Sequence, residues 1–141
     1  MSASLHIVLI DDNPRDREYY ADRLQASFPE CVVVQATTGR TGLALCKEHR
    51  PDCVVLELDL PDMSGFEVLL KLVPRVYRPE IAVIVLTRIY NLGFLKAAVT
   101  NGAQAALFKS MASGDILEKT VLKAMASVQR HRKEPTDRPN I

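Results

Sequence analysis

The chain has 141 residues, 48% of them hydrophobic, and a formal net charge of +1. This suits one domain with a core of its own and implies no strongly basic or acidic partner. Three cysteines without paired spacing argue against a disulfide framework or a zinc site. No apolar run reaches membrane-spanning length and no secretion signal opens the chain, so a cytoplasmic protein without membrane contact is expected.

In chain order, Leu5 to Ile10 reads as a short apolar strand. Asp11, Asp12, Asn13 and Pro14 follow at once. Asn13 is a capping residue and Pro14 belongs in a first helical turn, where its missing N–H costs nothing. The helix should run to about Ser27, with Tyr20, Leu24 and Phe28 on one face. Cys31 to Ala36 is a second strand, and Thr38-Gly39 a turn. Gly42, Leu45, Cys46 and His49 mark a second helix, closed before Pro51. Cys53-Val54-Val55-Leu56 has the composition of a strand buried on both faces, with Cys46 and Cys53 as small core residues. The run then admits Glu57 and Asp59, and Pro61 and Gly65 break it into a loop.

Phe66, Leu69, Leu70 and Val73 recur at helical spacing and predict a third helix with that stripe inward. Pro74 to Pro79 is a connector. Ile81 to Leu86 is a fourth strand, ending at Thr87. Leu92, Leu95, Val99 and Gly102 fit a fourth helix, with Asn101-Gly102 as its stop. Ala105 to Phe108 is a weaker fifth strand, ending at Lys109. Gly114-Asp115 opens a last helix whose buried stripe is Leu117, Val121, Ala124 and Val128. Its basic end, Gln129 to Lys133, reads as solvated, so no direct nucleic-acid contact is expected. The proline-containing stretch 134–141 reads as a loose tail or a linker.

Five strands alternating with five helices define an α/β domain over residues 1–133. The expected architecture is a flavodoxin-like, doubly wound parallel sheet of strand order 2-1-3-4-5. In that order strands one, three, four and five are neighbours. Their carboxyl ends would bring together Asp11 and Asp12, Glu57, Thr87 and Lys109. Adjacent carboxylates repel unless a cation is present. A hard divalent ion such as Mg²⁺ takes such oxygens. A hydroxyl and an ammonium beside it suit an oxyanion, the arrangement phosphoryl transfer needs.

The chain resembles the receiver domain of bacterial response regulators from Leu5 to about Val128. The resemblance rests on Ile10-Asp11-Asp12, Leu60-Pro61-Asp62-Met63-Ser64-Gly65, Thr87, and Gly102-Ala103 leading to Lys109. It implies a two-component signalling module rather than an enzyme. In that family an aspartate accepts a phosphoryl group from a histidine kinase or phosphotransfer protein. It further implies a Mg²⁺ site at Asp11, Asp12, the acceptor position and the backbone carbonyl of Asp59, with Thr87 and Lys109 assisting. An output domain or partner would bind through the fourth helix, fifth strand and last helix, and a homodimer through that face is plausible.

Four departures bear on function. The acceptor position, four residues before Pro61, is Glu57, a carboxylate moved outward by one methylene. A shift of about 1 Å can cost ~100-fold in an oriented transfer. Glu57 would then imitate the phosphorylated state or form an ion pair that blocks the site. Arg88 replaces a small residue after Thr87, and its guanidinium could cover the pocket or pair with Glu57. Ala106 replaces the switch aromatic, and Ser110 the proline after Lys109.

The leading expectation is therefore a receiver module that works without phosphorylation or imitates the phosphorylated state. One alternative is an ordinary Mg²⁺-dependent phosphoaccepting receiver carrying a substitution at position 57. Another is a metal-dependent phosphatase, disfavoured because no Asp-x-Asp pair follows the first strand. Asp59 is either a loop acid or a surrogate acceptor. Asp11 and Asp12 could merely cap the first helix, although Asn13 already offers a cap.

Overall fold

A computed structural model describes residues 5–133, with side chains through residue 128. The strands are β1 His6–Ile10, β2 Val32–Ala36, β3 Cys53–Leu56, β4 Ala82–Thr87 and β5 Ala105–Phe108. The helices are α1 Pro14–Ser27, α2 Gly39–His49, α3 Gly65–Leu72, α4 Leu92–Thr100 and α5 Gly114–Lys133. All strand pairs are parallel and the order is β2-β1-β3-β4-β5, as the alternation predicts. The expected side-chain character of residues 129–133, and the tail or linker at 134–141, lie outside the described residues.

Side chains alternate across a strand, so each strand feeds two cores. Ile7, Leu9, Val55, Ile84 and Leu86 face α1 and α5, meeting Leu24, Leu117 and Val121. Val8, Ile10, Val54, Leu56, Val83 and Val85 face the other way, toward Cys46, Val68, Leu69 and Ala98. β1, β3 and β4 are therefore apolar at nearly every position, each full burial contributing about 1.5–3 kcal/mol. Cys31, Cys46 and Cys53 are all buried. Burial pushes the Cys46 thiol up to about 12, which keeps it a neutral core side chain.

The expected inward stripe of α3 is rotated by one position. Gly65, Val68 and Leu69 are buried, whereas Leu70 is exposed. The cause is Gly65: a Cβ there would stand 2.5 Å from the Glu57 carbonyl oxygen and the Leu58 Cα. Its absence lets the helix start hard against the end of β3 and sets which face turns inward. Phe66 is carried sideways and meets Phe94 of α4 edge to face at 5.9 Å.

α4 also departs from expectation. Among its helical residues only Ala98 is fully buried, while Leu92 and Val99 of the expected stripe are exposed. The small side chain of Ala98 makes the close contact with the sheet, leaving the larger groups outside. Among the described residues no helix is long and apolar enough to cross a membrane.

Candidate functional site at the carboxyl edge of the sheet

The register sets the site. Ile10 pairs with Leu56, and Leu56 with Val85. Asp11 and Glu57 are the next residues on their strands, and each is held by a further ladder bond. Asp11 N–H donates to the Ala36 carbonyl at 3.0 Å, and Glu57 N–H to the Ile10 carbonyl at 2.9 Å. On the other side Thr87 pairs with Phe108, which places Lys109 just beyond. The sheet thus gathers Asp11, Glu57, Thr87 and Lys109, as their strand-end positions predict. Asp11, Glu57 and Thr87 are buried, and the Lys109 side chain is only 9% exposed.

A buried carboxylate must find donors. Glu57 finds four, all within the chain. Its Oε2 accepts from the Thr87 hydroxyl at 2.5 Å and from the Asp59 N–H at 3.0 Å. Its Oε1 accepts from the Arg88 N–H at 3.1 Å and lies 3.2 Å from Lys109 Nζ. Hydrogen bonds to an ionised oxygen are roughly twice as strong as neutral ones. The Ile89 N–H donates to Thr87 Oγ1 at 3.0 Å and orients that hydroxyl.

Lys109 serves three acids at once. Its Nζ is 2.7 Å from Asp11 Oδ2, 2.8 Å from Asp16 Oδ2 and 3.2 Å from Glu57 Oε1. Burial opposes the charge on Lys109, but the hydrogen bonds to Asp11 and Asp16 outweigh it and raise its pKa above that of an ordinary lysine. Burial also raises the Asp11 carboxyl, against the pull of Lys109 and the Asn13 N–H. One ammonium divided among three acids does not fully offset the desolvation of Asp11.

Asp12 and Asp59 lie farther out. Arg88 donates to Asp59 Oδ2 from Nε at 3.2 Å and from Nη2 at 2.9 Å. Nη2 also stands 4.0 Å from Asp12 Oδ1, a buried oxygen with no hydrogen-bond partner. The Arg88 side chain thus pairs with Asp59, and only its backbone N–H reaches Glu57. Of the two expectations for the guanidinium, pairing with Glu57 is corrected, and its position between Asp12 and Asp59 at the rim agrees with covering the pocket.

Sequence reasoning missed three features. Asp16, on the first turn of α1, reaches Lys109. Asp62, from the β3–α3 loop, accepts the Gly39 and Arg40 N–H groups at 2.8 and 2.9 Å and caps α2. Tyr90 stacks on Phe108 at 4.5 Å between ring centroids. The family's switch aromatic, replaced here by Ala106, thus has an aromatic neighbour two residues on. An acid in a first turn, or following Pro61, is a weak signal without the fold.

The family model for the response regulator receiver domain matches residues 7–121, and the chain belongs to that family. Receiver domains are modules of two-component signalling. The chain is 31% identical to the transcriptional activator protein ExaE of Pseudomonas putida over 112 residues, 79% of this chain and 51% of that protein. It is 27% identical to the transcriptional regulatory protein DegU of Brevibacillus brevis over 130 residues, 92% of this chain and 54% of that one. The chain spans about half the length of these curated relatives. Among solved structures it resembles a receiver domain from Methanospirillum hungatei JF-1, with TM-score 0.80, 23% identity, and 91% and 98% of the two chains covered. It also resembles the signal receiver domain of NarL from Mycobacterium tuberculosis, with TM-score 0.77, 26% identity, and 89% and 98% covered.

Receiver domains generally bind Mg²⁺. The side chains here do not fit that ion as they stand. Both oxygens of Glu57 and both of Asp11 are occupied by donors within the chain, and Arg88 lies between Asp12 and Asp59. Among the described residues no group of three or more acids is arranged to hold a metal.

Proposed function

We propose that this receiver domain acts as a signalling module that does not depend on phosphorylation, with the Glu57 carboxylate serving as a permanent anion at the acceptor site. The observation that carries the reading is the saturation of Glu57. The Thr87 hydroxyl, the Asp59 and Arg88 N–H groups and Lys109 are the donors an incoming phosphoryl group would need, and all four already face Glu57. Nucleophilic attack on a phosphorus atom would use one Glu57 oxygen, and either one has two partners to displace: Thr87 and the Asp59 N–H at Oε2, or the Arg88 N–H and Lys109 at Oε1. Asp59 is a poor surrogate acceptor, because its carboxylate is held by Arg88 at the rim.

On this reading Glu57, Thr87 and Lys109 keep the edge in one state, while the message is read on the face of α4, β5 and α5. That face is supported by the exposed apolar groups Leu92 and Val99 of α4 and Leu122 of α5, with Tyr90 and Met111 in the flanking β4–α4 and β5–α5 connections. Its occupant would be an output domain, a partner protein or a second copy of the chain. A histidine kinase or phosphotransfer protein would act as a docking partner rather than a phosphoryl donor. The receiver unit is proposed as residues 1–133, in a cytoplasmic protein. The transcriptional regulators it matches at 27–31% identity are about twice as long as the matched stretch, which favours a transcriptional output.

A second reading is favoured by the intact donor set: an ordinary phosphoaccepting receiver silenced by one substitution. Intact mass after incubation with Mg²⁺ and acetyl phosphate, for this protein and for Glu57→Asp in parallel, separates the two. The unaltered protein should gain no phosphoryl group. A gain there would overturn the proposal. Slow gain by the aspartate variant, whose carboxylate attacks phosphorus and displaces acetate, would show that the donors remain competent and that Glu57 alone silences them.

A further inference from the structure

We infer that Arg88 is the resident cation of this site and keeps a divalent ion out of it, an inference that rests on the self-occupied site described above. Three observations place it there. Its backbone N–H is bound to Glu57 Oε1 at 3.1 Å, so the residue is anchored at the acceptor carboxylate. Two nitrogens of its guanidinium converge on Asp59 Oδ2, at 2.9 and 3.2 Å. The same Nη2 lies 4.0 Å from Asp12 Oδ1, which has no hydrogen-bond partner. The guanidinium therefore bridges the β1–α1 and β3–α3 loops across the gap between two carboxylates.

A divalent ion binding those oxygens would sit at about 2 Å from each. It would then lie within a few ångströms of Nη2, where the charges repel and the volume is already taken. Arginine cannot yield by losing its proton, since it stays charged at every accessible pH. What holds the guanidinium over the gap is its pair of hydrogen bonds to Asp59 Oδ2, while the backbone bond to Glu57 fixes where the side chain starts. The hydrogen bonds to Asp59, and the nearby charges of Asp12, Asp59 and Glu57, all favour the cation in place. Arg88 and a metal ion are thus alternative counter-ions for the same acids.

The test is calorimetric titration of Mg²⁺ into the full chain and into Arg88→Ala, Arg88→Gln and Arg88→Lys, with circular dichroism as the check on folding. The unaltered protein should bind Mg²⁺ only weakly. The alanine and glutamine variants should bind it at least about tenfold more tightly, the scale expected for removing one cation a few ångströms away in a half-exposed setting. The lysine variant should stay close to the unaltered protein. Equal affinity in all four proteins would overturn the inference. So would a gain in the lysine variant as large as in alanine, because charge would then not be the cause. The readout is metal affinity, so it fails separately from the acetyl phosphate experiment. A protein that is never phosphorylated can still show Mg²⁺ binding that ignores Arg88.

Discussion

The carboxyl edge of the sheet and the face made by α4, β5 and α5 adjoin one another, yet they are built in opposite ways. At the edge, charged groups are buried and satisfied from within: Glu57 has four donors, and Lys109 ties Asp11, Asp16 and Glu57 together. On the face, apolar groups stand in water. Leu92 of α4 is 58% exposed and Leu122 of α5 50%, and Ala98 is the one fully buried residue of α4. A region whose interactions are complete but for Asp12 Oδ1 has little left for a ligand. A region that leaves aromatic and aliphatic surface uncovered is suited to a partner. With alanine at position 106, no aromatic rotamer there links the two regions, so the face is expected to be independent of events at the edge.

The largest break in this comparison would come from Lys109→Met. It leaves Asp11 and Glu57 buried without their shared cation, and stability should fall by about 3–5 kcal/mol in urea denaturation. A loss under about 1 kcal/mol would mean that the edge is not tied as described. A smaller effect is expected on the face. Tyr90→Ala removes the stack on Phe108, a contact of about 0.5–1.5 kcal/mol, and should weaken partner binding more than folding. If denaturation midpoints fall while a captured partner is retained, the face has been misplaced.

The smallest effect sharpens the contrast through pH. The Arg40 and Gly39 N–H groups hold the Asp62 carboxyl below its usual value. Its folded pKa is depressed, so its contribution is full above the unfolded value of 3.8 and is lost as pH falls through the folded one. Asp62→Asn should therefore flatten the acid limb of a Tm-against-pH curve and leave a slight deficit at neutral pH. An unchanged acid limb would show that this cap adds nothing measurable.

Much of this architecture was legible because buried parallel strands announce themselves. Cys53 to Leu56 and the run ending at Leu86 have no polar position, and the acids, threonine and lysine stand immediately after such runs. Strand order then brought Asp11, Glu57, Thr87 and Lys109 together. The third partner of Lys109, Asp16, and the partner of Arg88, Asp59, were not legible, since they reach these cations through side-chain geometry rather than sequence spacing. The faces of α3 and α4 were misjudged for a related reason. Periodicity gives a stripe, but Gly65 against the Glu57 carbonyl and Ala98 against the sheet decide which neighbouring stripe turns inward.

The four donors around Glu57 have a consequence in time. A phosphoryl group on an aspartate is a message with an expiry, because water eventually removes it. On the proposed reading the anion at this edge would be the Glu57 carboxylate itself, joined to its backbone by carbon–carbon bonds, with no hydrolysis rate and no writer to wait for. In a cell, the duration of the signal would then be set by how fast the chain is made and degraded, and its strength by how many copies find the partner. The domain would behave less as a timer than as a concentration gauge.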